Sequence, residues 1–145
     1  MQKIEFGEAL DAIIATDPRF HREAYLFIKD ALDFTQKARR KNKEDTGVQH
    51  VSGQELLEGI RQFAIKEYGP MVPTLFDFWG IRCCEDFGTI VFNLINAGVL
   101  RQADGDSVED FKGGYGFEDA FVAPFRPTLP GAANSEQNSG KKVGR

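Results

Sequence analysis

Apolar residues recur at spacings of three and four through most of the first hundred positions, and the interruptions of that rhythm divide the chain into helices. Residues 4–15 set Ile4, Leu10, Ile13 and Ile14 among acids, a modest helical pattern. Asp17-Pro18 ends it, because Pro18 disfavours the α conformation in the residue before it. From His21 to Arg39 the positions Ala24, Phe27, Ile28, Ala31, Leu32, Phe34 and Thr35 mark one face of a long amphipathic helix. Residues 40–51 break every period and read as an exposed loop. The next helix announces itself through Ser52 and Glu55, a capping box in which each side chain satisfies an amide left unpaired at the helix start. Leu56, Leu57, Ile60, Phe63, Ala64 and Tyr68 form its buried stripe, and Gly69-Pro70 stops it.

A short helix follows, with Pro73 in its first turn, Val72, Leu75, Phe76 and Trp79 on a shared face, and Gly80 as its terminating residue. Glu85 and Asp86 then open a strongly apolar helix that carries Phe87, Ile90, Val91, Leu94 and Ile95 to Gly98. Beyond Gly98 the period changes. Residues 99–102 and 108–112 read as two strands joined by the turn at residues 104–107. The expected fold class is therefore mainly α with a small β-hairpin, an α+β domain. Its helix, short helix, helix, hairpin order over residues 52–112 is winged-helix-like. Gly113, Gly114 and Gly116 make a joint, after which Phe117, Ala120, Phe121 and Phe125 pack a last turn or two. Past Pro127 little remains to bury. The expected organisation is one helical domain over 1–127, comprising N-terminal helices (1–39), a basic loop (40–51) and helices plus hairpin (52–127), followed by a disordered tail at 128–145.

Composition adds a core rich in rings: thirteen Phe, three Tyr and one Trp in 145 residues, most of which must be buried against one another. No run of about 18 apolar residues occurs, so a membrane-spanning helix is not expected, and the first residues lack the apolar stretch of a signal peptide. The two cysteines, Cys83 and Cys84, are adjacent and read as free thiols of a reducing compartment, which makes the expected location cytoplasmic.

Charge is distributed unevenly within a formal net of −4. Lys37, Arg39, Arg40, Lys41 and Lys43 form a cluster with no acid among them, whereas residues 51–127 hold six basic groups against twelve acidic ones. The helix expected to occupy a DNA groove has no Lys or Arg, and the expected hairpin carries Asp104, Asp106, Glu109 and Asp110, so DNA reading is disfavoured. The basic cluster is either a solvated helix end, whose cations offset the helix dipole, or a contact for an anionic partner such as RNA, aided by Lys141, Lys142 and Arg145.

Candidate chemistry is thin. Asp86-Phe87-Gly88 lacks every other part of a kinase, and Asp104-x-Asp106 lacks the remaining oxygens of a calcium loop. His21, His50, Cys83 and Cys84 lack zinc-site spacing. No catalytic, cofactor or metal residue is expected. The segment containing Phe111, Tyr115 and Phe117 reads either as a glycine-hinged strap onto the core or as an interaction surface. These observations favour a non-enzymatic protein-interaction module, with an RNA- or nucleic-acid-associated factor as the alternative.

Residues 23–27 (Glu-Ala-Tyr-Leu-Phe), 31–35 (Ala-Leu-Asp-Phe-Thr), 50–61, 85–88 and 110–115 (Asp-Phe-Lys-Gly-Gly-Tyr) together resemble a family of small uncharacterised bacterial proteins described as restricted to the Planctomycetes and Verrucomicrobia. The likeness covers about residues 1–126. It implies a bacterial cytosolic setting and supplies no activity, catalytic residue or cofactor.

Overall fold

The computed structural model describes residues 5–43, 51–100 and 108–127. Helix α1 spans Phe6–Thr16, α2 Arg22–Lys43, α3 Gly53–Tyr68, α4 Val72–Trp79 and α5 Cys84–Asn96. Short turns of 3₁₀ type at Gly69–Met71 and Val108–Phe111, π type at Glu118–Val122 and 3₁₀ type at Ala123–Phe125 complete the order. No helix among the described residues is long and apolar enough to cross a membrane. The expected tail at 128–145 lies outside the described residues.

Helix boundaries follow local chemistry. The Ser52 hydroxyl accepts from the Glu55 amide at 3.1 Å while the Glu55 carboxylate accepts from the Ser52 amide at 2.9 Å, so the capping box is complete. Helix α4 ends on Gly80 at φ 87°, with the Gly80 amide on the Asp77 carbonyl and the Ile81 amide on the Phe76 carbonyl, the paired bonds of a Schellman motif. Helix α2 continues past Arg39 to Lys43, so the basic residues expected in a loop are helical.

The β-hairpin and with it the winged-helix-like segment are corrected: no strand occurs among the described residues. Val99 and Leu100 do not extend away from α5. Their amides bond back to the Leu94 carbonyl at 2.9 and 3.3 Å, and the Gly98 amide to Ile95, another Schellman closure. Val108–Phe111, expected as the return strand, is a 3₁₀ turn. That turn delivers Phe111 between α3 and α5, where a β-carbon on Gly88 would lie 2.9 Å from Phe111 Cδ1 and one on Gly53 3.3 Å from Phe111 Cε1. Burying the ring in that slot outweighs the strand pattern of its neighbours. The expected turn at 104–107 lies outside the described residues.

Helix α2 packs chiefly on α3, where Gly59 faces Thr35; a β-carbon at Gly59 would sit 1.7 Å from the Thr35 hydroxyl. Helix α5 closes against α2 and the Val108–Phe111 turn. Rings fill the centre. Phe76 meets Phe27, Trp79, Phe87, Phe117 and Phe121 with centroids 5.2–6.0 Å apart, within the range for edge and tilted aromatic contacts.

Candidate interaction surface

The strap after residue 108 is a candidate surface, and the structure packs its three rings onto the body while Lys112, Gly113 and Gly116 face water. Phe111 is 2% exposed. The Tyr115 hydroxyl donates to the Leu57 carbonyl at 2.7 Å, and burial pushes its pKa above the usual tyrosine range. Phe117 stacks among Phe76, Phe87 and Phe121. The chain can run this close to α3 and α5 because Gly114 has no β-carbon to meet Cys84 Sγ at 2.9 Å and Leu57 Cδ1 at 3.0 Å. Phe111 is core, and Tyr115 and Phe117 are half-buried against it.

The thiols are equally committed. Cys84 is buried and donates to the Tyr115 carbonyl at 3.3 Å, and loss of hydration pushes its pKa up to about 11. Cys83, though exposed, is also raised, first by desolvation. A thiol held protonated at neutral pH is a poor nucleophile and metal ligand. No group of three or more His, Cys, Asp and Glu side chains able to hold a metal occurs among the described residues.

Two clefts mix polar and apolar lining. One, about 280 Å³, is lined by Ala12, Ile13, Thr16, Asp17, Asn93, Asn96 and Ala97. Its Asp17 carboxylate is taken by the Arg19 guanidinium at 2.7 and 2.8 Å and held well below the usual carboxylate range. Asn93 donates to both Asp17 and the buried Tyr25 hydroxyl at 3.1 Å, a network that ties α5 to the ends of α1 and α2. The second, about 300 Å³, lies between α4 and the Glu118–Val122 turn; Phe76, Ile81, Phe117 and Phe121 are part of its wall. The Asp77–Arg82 and Glu118–Arg126 pairs neutralise its rim. Both volumes are at the small end for ligand pockets.

Helix α4 is different. Val72, Phe76 and Trp79 turn inward, while Met71, Leu75 and Phe78, spaced i, i+4 and i+7, share an outer flank. Phe78 is 68% exposed and Met71 57%; Leu75 is half-buried. The exposed Phe78 ring lies 5.1 Å from the His21 ring, and the His21 Nδ1 accepts from the Glu23 amide. Phe78 thus extends onto the start of α2. At the other end of the stripe, Met71 follows Tyr68 through the 3₁₀ turn Gly69–Met71. The Tyr68 hydroxyl is raised by burial and then by the nearby charges of Glu67, Asp30 and Glu23. An outward apolar flank on a helix whose inner face is already core is not explained by the fold itself. Sequence reading missed it by assigning Leu75 to the inner face.

Of the basic cluster, Lys37 is exposed on α2, and Arg39, Arg40, Lys41 and Lys43 continue the same helix. The tail cations Lys141, Lys142 and Arg145 lie outside the described residues. No family model, curated protein or solved structure matches the chain.

Proposed function

We propose that this chain is a non-enzymatic protein-interaction module that docks a partner on the outer flank of α4. The observation that carries the reading is the exposure of Phe78 and Met71 on one stripe, 68% and 57%, beside a core that has already taken the helix's other face. Large, exposed apolar side chains on a rigid helix are the usual anchors of a docking surface.

The test compares captures by the full chain and by a Phe78→Asp, Met71→Asp variant from nuclease-treated lysate. Proteins retained by the parent and lost by the variant are the expected result. Identical sets would overturn the reading.

A second reading has an observation of its own. Because α2 runs to Lys43, the cluster Lys37, Arg39, Arg40, Lys41 and Lys43 spans the last two or so turns of one helix rather than a loop. Such a helix end suits RNA phosphates. Its test is the salt dependence of RNA binding: a steep loss of affinity between low and physiological salt is expected, and indifference to salt excludes it.

A further inference from the structure

The α4 stripe is set in a negatively charged surround, and that surround narrows what covers it. Glu23 and Asp30 lie two turns apart on the exposed side of α2, and Glu67 sits at the end of α3 beside Tyr68. All three are exposed, and none forms an ion pair among the described residues. Lys37 lies two turns beyond Asp30 on α2, and four other basic side chains of these helices are engaged locally. Arg22 pairs with Asp11 at 2.6 Å, Lys29 with Asp33 at 3.8 Å and Arg61 with Glu58 at 2.6 Å, while Lys66 lies over the Phe34 ring at 5.6 Å. Glu67, Asp30 and Glu23 all act on the Tyr68 hydroxyl, three residues before Met71 at one end of the stripe, and His21, whose ring meets Phe78 at the other end, accepts the Glu23 amide.

Resting on the interaction-module reading, we infer that the partner element is a cationic amphipathic segment of another protein, seating apolar side chains on Met71, Leu75 and Phe78 and placing Lys or Arg against Glu23, Asp30 and Glu67. Apolar contact supplies most of the affinity of such a complex, and charge complementarity sets its selectivity and association rate. A neutral or acidic amphipathic segment meets the same stripe but is repelled at its margin.

The probe is a short fluorescent helical peptide with leucines along one face and lysines elsewhere, compared by anisotropy with a twin carrying glutamates in place of the lysines, both added to the full chain. The lysine peptide binds at least about tenfold tighter than its twin, and its affinity falls as salt screens the contact. Phe78→Ser with Met71→Ser weakens it about tenfold or more. Glu23→Gln, Asp30→Asn and Glu67→Gln together erase the preference between the peptides. All substituted positions are exposed, so unchanged far-ultraviolet circular dichroism and urea midpoint show that the variants fold. Equal binding of both peptides, still lost with Phe78→Ser and Met71→Ser, would overturn the cationic partner while leaving the module reading standing. Binding of neither peptide would remove both. A concentration-dependent dimer abolished by the serine variant would assign the stripe to a second copy of the chain, and tighter peptide binding after Lys141→Ala, Lys142→Ala and Arg145→Ala would assign it to the chain's own tail; either result overturns the inference.

Discussion

The strap carrying Phe111, Tyr115 and Phe117 and the outer flank of α4 are both rich in large apolar side chains, yet the first is packed away and the second faces water. Ring count does not separate them. What differs is the surface each one meets. Phe111 lies against backbone where Gly53 and Gly88 have given up their β-carbons, and the strap passes over α3 and α5 at Gly114. No such slot receives Phe78. Its only ring neighbour among the described residues is His21, itself exposed. Burial here is a property of matched pairs, a large side chain and a missing one, rather than of hydrophobicity alone.

The largest expected effect tests the buried half of that contrast. Phe111→Ala empties the slot between α3 and α5 and costs about 3–5 kcal/mol of unfolding free energy, measured by urea titration. A loss under about 1 kcal/mol would mean that the turn packs loosely and that the contrast with Phe78 is one of degree.

Next in size is the other member of the pair. Gly88→Ala introduces a methyl group 2.9 Å from Phe111 Cδ1 and 3.1 Å from Cγ. Those atoms belong to the root of the ring and cannot swing clear, so a cost of about 1–3 kcal/mol is expected. Combining Gly88→Ala with Phe111→Leu recovers part of that loss if the two positions are coupled, and a double-mutant cycle with zero coupling energy would break the pairing argument.

That pairing also explains which parts of the fold could be read in advance. Ser52 with Glu55, Gly69-Pro70, Gly80 and the spacing of the α2 and α5 stripes act within a turn or two of chain, and the helices follow them. The hairpin was a local reading of a non-local outcome. Residues 99–112 carry strand and turn signals, but the slot that captures Phe111 is built by Gly53 and Gly88 from two other helices. Apolar periodicity stops near Arg39 and so predicts too early an end for α2, although Arg, Lys and Ala are good helix formers without it. The α4 flank was legible in principle: Met71, Leu75 and Phe78 follow i, i+4, i+7 on a helix that already had a full inner face.

A smaller effect probes the strap through pH. The Cys84 thiol moves from 9.0 up to about 11 on folding, and Tyr115 is also raised, both chiefly because burial disfavours their charged forms. The folded state thus holds its protons more tightly than the unfolded chain. The stabilisation is complete below pH 9 and is lost as pH rises toward and through 11. Cys84→Ser, which does not titrate in that window, should flatten the fall in stability between those values. An unchanged slope would show that Cys84 is hydrated and that the strap does not seal α5.

The smallest effect on stability is the one that most sharpens the comparison. Phe78→Ala removes a ring as large as that of Phe111, but from a side chain that is 68% exposed and, among the described residues, in ring contact only with exposed His21. Little apolar area returns to water and no cavity forms, so the expected change in unfolding free energy is within about 0.5 kcal/mol. The same substitution should weaken partner binding about tenfold, because the ring's contact area is used only in the complex. A variant that loses several kcal/mol would place Phe78 in the core alongside Phe111. One that loses neither stability nor binding would make the outer flank of α4 an ordinary patch of exposed side chains. Stability retained with binding lost is the combination that separates a surface built for a partner from a surface left over by the fold.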